Sequence, residues 1–405
     1  MVQDGRIRLL FVIQLVSMGA MEMSGPFWPV HLRSLDLGRT MFTLSSVGVY
    51  VAPMLGIMLT ARLWGRIGDR VGHRAMMLRA LAGLALTQLA LAYAGDAWTI
   101  LALRFLQGAC AGFIAPAQAY GVALVRPERR ARLFARLQIA TNLGSLSGAL
   151  AGGLVLDRAP FAWINLAAAI LCGLSMLAVW IFLPAIAPGA APQAGSSVKG
   201  QERATALPAA GMVAPLLLVL GVLLLARLVT QAPFSLFMLD RFALGNWVTG
   251  LCYGLLALGF ILSADAWARH FEARSVAGTL GRLALVVAGC ALVTLAAGST
   301  RSIAFFALLY CLWGVLLGAT TPVLTNLISR AASNAGQGRA LGTVQAVTQG
   351  ASIAGIALGG WFSQGSGLQH IYLLVAGIYA AGLGLILLLR LWPRATRPDP
   401  LGVSQ

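Results

Sequence analysis

The sequence predicts an all-α integral membrane protein of twelve transmembrane helices, arranged as two pseudo-symmetric six-helix bundles. Three observations predict it. Of the 405 residues, 59% are hydrophobic and 10% charged, whereas soluble domains carry about 25% charged residues. The apolar residues fall in stretches of roughly 20, the length that crosses a bilayer as a helix. The second half of the chain also repeats the pattern of the first at an offset of about 207 residues.

The first apolar run, 9–30, contains Glu22 and leads into Pro26-Phe27-Trp28-Pro29. No small-residue cleavage site follows, so a retained helix is expected and not a signal peptide. Further spans are predicted at 42–63, 76–95, 98–122, 134–156, 161–183, 213–239, 246–267, 277–298, 302–323, 338–362 and 370–391. Residues 184–207, rich in Ala, Pro, Gly and Ser, break the pattern and read as a flexible linker. The expected organisation is therefore an N-terminal bundle over 1–183, a cytoplasmic linker over 184–212 and a C-terminal bundle over 213–405.

The net charge of +17 invites a nucleic-acid partner. The arginines argue against one, because they are spread over alternate loops and not gathered on one arm or face. With the N-terminus inside, the cytoplasmic segments hold 22 Lys and Arg residues and the opposite side 5. Positive charge resists translocation, so both termini are expected in the cytoplasm. The five cysteines all fall in apolar runs and read as small buried hydrophobes, with no disulfide or metal spacing.

The repeat is specific. Gln138-x-x-Thr141-Asn142-x-x-Ser145-x-x-Gly148-x-x-x-Gly152-Gly153 falls on Gln345-x-x-Thr348-Gln349-x-x-Ser352-x-x-Gly355-x-x-x-Gly359-Gly360, and Pro26-Phe27 falls on Pro233-Phe234. Glycines at four-residue spacing let helix backbones approach closely. Gly148, Gly152, Gly153, Gly355, Gly359 and Gly360 are thus expected at helix-packing surfaces. Between spans 2 and 3 lies Gly65-Arg66-Ile67-Gly68-Asp69-Arg70-Val71-Gly72-His73-Arg74.

This Gly-x-x-x-Asp-Arg-x-Gly-x-Arg pattern resembles the loop between the second and third helices of the major facilitator superfamily, departing from it at His73. The resemblance implies a gating loop in which Gly65, Asp69, Arg70, Gly72 and Arg74 take part. It also implies a substrate site near the midplane between two parallel halves. The run Gly144-x-x-x-Gly148-Ala149-x-x-Gly152-Gly153 resembles the fifth-helix motif of the family's proton-driven exporters, with Ala149 where that motif has proline. Arg104-x-x-Gln107-Gly108 resembles the fourth-helix motif associated with proton coupling.

An ionisable side chain at bilayer depth is costly, and is a functional candidate by default. Glu22 is the acidic residue well inside a span; Arg104 and Arg227 are the basic ones. From helical rise, Glu22 lies roughly 12 Å and Arg104 roughly 9 Å below the outer ends of their spans. The two are expected to meet as a proton-responsive pair, with a structural ion pair as the alternative. Arg227 and Gln231, one turn apart, would suit an anionic or chelating substrate; snorkelling is the alternative for Arg227. Gln107, Gln138, Asn142, Gln345 and Gln349 are expected to line the cavity, since polar groups rarely face lipid; for the pairs Gln138/Asn142 and Gln345/Gln349, bridging between helices is the alternative.

The expected function is export of a small organic molecule by proton antiport, by a monomer in a bacterial inner membrane. The alternatives are a dedicated exporter of a self-made metabolite such as a siderophore, and a proton-coupled uptake symporter, which Ala149 keeps open. No enzyme, cofactor or metal is expected. The nucleotide-binding Gly-x-x-x-x-Gly-Lys-Ser/Thr loop does not occur, and His31, His73, His270 and His370 have neither ligand nor triad spacing.

Overall fold

The computed structural model describes residues 2–126, 130–185, 212–272, 276–331, 337–365 and 367–391. The helices of the first half are α1 (Val2–Glu22), α2 (Trp28–Arg33), α3 (Arg39–Val71), α4 (His73–Ala92), α5 (Ala97–Cys110), α6 (Ile114–Leu124), α7 (Arg130–Leu156) and α8 (Ala162–Phe182). Those of the second are α9 (Val213–Leu228), α10 (Phe234–Phe242), α11 (Asn246–Glu272), α12 (Val276–Ser299), α13 (Ile303–Leu317), α14 (Thr321–Ala331), α15 (Gln337–Gly365) and α16 (Ile371–Leu391). They form twelve spans in two six-span bundles. The expected linker lies outside the described residues apart from its edges.

Four spans expected as continuous are each broken in two: α1–α2, α5–α6, α9–α10 and α13–α14. These are the first and fourth spans of each half, so the breaks obey the repeat. Proline explains them locally, because it lacks the N–H a helix needs and fits best in a first turn. Pro29 sits in the first turn of α2, Pro116 in that of α6 and Pro322 in that of α14, while Pro233 caps α10. Gly112 adds a left-handed φ of 107° at the α5–α6 break. The fourth spans also start alike. Asp96 accepts from Thr99 N–H at 2.9 Å to cap α5, and Ser302 accepts from Phe305 N–H at 3.4 Å to cap α13.

Residues 65–74, expected as a loop, are helical apart from one residue. α3 runs on to Val71, Gly72 turns the chain at φ 87°, and α4 begins at His73. Gly72 closes α3 by donating its N–H to Gly68 O at 2.9 Å. Arg74 donates to Trp180 O at 2.5 Å, which ties α4 to α8. Gly65 faces open space and Arg70 is exposed; the Asp69 side chain lies outside the described residues.

Among the described residues, ten stretches are long and apolar enough to cross a membrane. The remaining two spans are the interrupted α9–α10 and α15, whose first half carries Gln345 and Gln349. Outward-facing side chains such as Leu59, Leu86, Trp180, Leu285 and Trp361 are exposed, as acyl chains in place of water allow.

The glycine repeat decides how close the backbones come. A Cβ on Gly148 would lie 2.1 Å from Gly19 O, and one on Gly152 would lie 1.9 Å from Met23 O, both on the first span. In the second half, Gly355 would meet Leu225 O at 2.6 Å and Gly359 would meet Val229 O at 1.8 Å. The last glycine of each run faces the other way, towards the opposite half. Gly153 would meet Asn246 O at 2.5 Å on α11, and Gly360 would meet Val47 Cγ2 at 2.3 Å on α3. The halves accordingly meet along α7–α11 and α3–α15. An apolar cluster around Phe27, Trp28, Ile100 and Ile164 takes in Ala232 and Ile356 from the second half.

Candidate functional site

Among the described residues, a set of polar contacts joins the halves at the end of the molecule away from the termini. Arg33, the last residue of α2, pairs with Asp240 of α10 at 3.2 Å. Arg39 donates to Gln364 O. Asp157, just after α7, caps α11 across the boundary. Its Oδ1 accepts from Asn246 N at 2.6 Å and from Asn246 Nδ2 at 2.9 Å, and its Oδ2 accepts from Trp247 N at 3.0 Å. A carboxylate also suits the positive end of a helix dipole. The cap exists only while the halves are closed here. Asp157→Ala is therefore expected to favour the form open at this end by about 1 kcal/mol, roughly fivefold. Spin labels at the exposed Arg158 and Leu244, read by electron–electron distance measurement, check it; an unchanged distance distribution counts against a clasp.

Beneath this closure lies a cavity of about 200 Å³ between the halves. Glu22, the last residue of α1, reaches it because the α1–α2 break ends the helix there. Asn142 and Ser145 line it from one face of α7, and Arg227 from the last turn of α9. Thr230 and Gln231 come from the α9–α10 break, Phe234 from the start of α10, Tyr253 from α11 and Tyr310 from α13. Gln231 Nε2 donates to the Tyr253 hydroxyl at 3.1 Å. Phe234 stacks on Tyr310 at 5.1 Å, and Tyr372 donates its hydroxyl hydrogen to the Tyr310 oxygen at 3.1 Å. This bonding fixes an aromatic wall on the second half.

Glu22 makes no hydrogen bond or contact ion pair among the described residues, and neither does the Arg227 guanidinium. The Glu22 carboxylate needs the absence of a side chain at Gly25, where a Cβ would come within 2.7 Å of its Oε2. The Tyr50 hydroxyl donates to Gly25 O at 3.0 Å on the far side of the same turn. Arg104 is near enough to attract Glu22 through space but does not touch it. Its Nε donates to Val49 O at 2.8 Å, one Nη donates to Gln107 Oε1 at 2.5 Å, and the guanidinium lies 5.3 Å from the centre of the Trp28 ring.

Of the residues expected at the cavity, Asn142, Arg227 and Gln231 line it, together with Glu22. Gln107, Gln138, Gln345 and Gln349 do not. Gln107 is buried and engaged with Arg104, while Gln138 and Gln345 lie nearer the termini and are exposed. Sequence reasoning missed Tyr253, Tyr310, Ser145 and Asp157. A tyrosine in an otherwise apolar span was the available signal, since its hydroxyl needs a partner.

Two parallel, repeat-related bundles around a polar cavity, with polar contacts between them at the end away from the termini, have the architecture of a membrane transporter. The family model for the Major Facilitator Superfamily matches residues 10–337. The chain belongs to that family, and its substrate is accordingly a small molecule. It is 26% identical over 355 residues to the class D tetracycline resistance protein of Salmonella ordonez, covering 85% of each chain. It is 28% identical over 165 residues to the staphyloferrin B transporter of Staphylococcus aureus, spanning 40% of that protein and 40% of this one. Among solved structures, the nucleoside transporter NupG superposes with a TM-score of 0.74 at 13% identity, covering 96% of this chain and 99% of that one. A bacterial homologue of the lysosomal transporter Spinster, in its inward-facing and unoccupied conformation, superposes with a TM-score of 0.72 at 11% identity, covering 96% and 97%.

Proposed function

We propose that the protein exports a small organic compound across a bacterial inner membrane by proton antiport, as a monomer with both termini in the cytoplasm. The observation that carries this reading is Glu22. It is an unpaired carboxylate in a cavity between the two halves, with the Arg104 cation held in place nearby. Protonation of Glu22 removes its attraction to Arg104 and changes the field in the cavity, where Arg227, Tyr50 and Tyr253 are the neighbouring ionisable groups. The 22-to-5 bias of basic residues towards the termini side supports the orientation. In that orientation the end held together by Asp157 and Asn246 faces away from the cytoplasm. Relatives that include tetracycline-resistance and multidrug-efflux proteins support the direction.

A dedicated exporter of a self-made chelator is the second reading. The Arg227 cation in the cavity favours it, as does the staphyloferrin B transporter among the relatives. Inside-out vesicles bearing the protein test the direction. Acidifying their lumen is expected to drive uptake of exported compounds, and a protonophore is expected to abolish it. Uptake confined to right-side-out vesicles would mean an importer.

A further inference from the structure

We propose that the transported compound is a zwitterion with an apolar or aromatic body, its cationic group held by Glu22 and its anionic group by Arg227. This rests on the transport reading and names the substrate class for the same cavity. Glu22 belongs to the first half and Arg227 to the second, and both line one cavity. Their opposite charges do not meet in a contact ion pair, and neither has a hydrogen-bond partner among the described residues.

A half-buried charge left without a partner is costly at bilayer depth. Two of opposite sign facing a common space are satisfied together by one ligand that carries both complements. Between them Phe234 and Tyr310 present a stacked aromatic wall, whose hydroxyl end is anchored through Tyr372. That wall has apolar area to offer a ligand body and no charge. Asn142 and Gln231 supply amides beside it.

The arrangement rejects singly charged compounds for a physical reason: each leaves one cavity charge desolvated and unpaired. It also links binding to motion. A ligand spanning residues of both halves binds best when their separation matches its own length, so binding shifts the population of states.

Three probes on one skeleton separate the contributions: p-benzoylphenylalanine, its N-acetyl derivative, which keeps only the carboxylate, and its methyl ester, which keeps only the ammonium. Binding is measured at neutral pH to the full-length protein in lipid nanodiscs, with benzophenone photocrosslinking to locate each probe. The zwitterion is expected to bind at least about tenfold tighter than either relative, equivalent to ~1.4 kcal/mol, and to crosslink within the cavity. Glu22→Gln is expected to make the zwitterion and the N-acetyl form equal. Arg227→Gln is expected to make the zwitterion and the ester equal, while Arg227→Lys keeps the preference and shows that the fold survives. Equal binding of all three, no saturable binding of the zwitterion, or crosslinking outside the cavity overturns the proposal. Proton-driven efflux of a cationic dye with no zwitterion preference sinks this inference and spares the transport reading. Zwitterion preference without any proton-driven movement does the reverse.

Discussion

Glu22→Gln is expected to keep substrate exchange and lose uphill accumulation. Glutamine fills the same space beside Gly25, where Oε2 has no room for a neighbouring side chain, but it cannot take up or release a proton. The driving force at stake is large. A membrane potential of 100 mV contributes about 2.3 kcal/mol per elementary charge moved, which sustains roughly a fiftyfold concentration ratio. An exchanger that moves one proton per substrate should approach that ratio. The variant should settle near unity, while still exchanging labelled for unlabelled compound at saturating concentration. Vesicle accumulation and counterflow, measured side by side, read the two quantities separately. Full accumulation by the variant would transfer the proton-binding role elsewhere. Loss of counterflow as well would make Glu22 a residue of substrate binding or of the fold and not of the coupling alone.

Gly153→Leu is expected to hold the halves apart at the end away from the termini. A Cβ at Gly153 would lie 2.5 Å from Asn246 O and 2.7 Å from Trp247 Cα, both backbone atoms that no rotamer change can move. Overpacking of this kind costs about 1–3 kcal/mol, and here it is incurred only in the closed arrangement. The population open at this end should rise by roughly 5- to 150-fold. The Arg158–Leu244 label pair should report a longer distance, with the thermal midpoint of the bundle little changed. Two other glycines show why position matters. Gly152, next in sequence, faces Met23 O at 1.9 Å within its own bundle, so leucine there should cost folded protein instead. Gly377 has no atom within 4 Å of its would-be Cβ, so leucine there should do neither.

Gly152 and Gly153 also show how far a sequence can be read. The repeat marked both as packing glycines, but which bundle each one touches depends on the rotation of α7 about its axis, and that is set by packing. Arg104 is a similar case. Its place in an apolar run marked it as a residue with a role, and its depth placed it near Glu22. Its hydrogen bonds nevertheless go to Val49 O of α3 and to Gln107, three residues on in its own helix, and which acceptors it meets is set by how α3 packs on α5. Gln138 is one turn from Asn142 and shared its spacing, yet it is exposed nearer the termini, as is its repeat partner Gln345, since the cavity is short and reaches only Asn142 and Ser145 on α7. The helix breaks were legible in hindsight from Pro29, Pro116, Pro233 and Pro322, but an unbroken apolar run hid them.

The sequence by itself determined the membrane setting, the number of spans, the twofold repeat and the small set of ionisable residues within it. All of these follow from local quantities: apolar length against bilayer thickness, and the cost of a charge in hydrocarbon. Tertiary structure alone decided that Glu22 and Arg227 face one cavity from opposite halves, that Asp157 caps a helix of the other bundle, and that the molecule is shut at one end. Those are relations between residues far apart in the chain. They are settled by how helices tilt and rotate as their side chains interlock, and no single stretch of sequence carries that information.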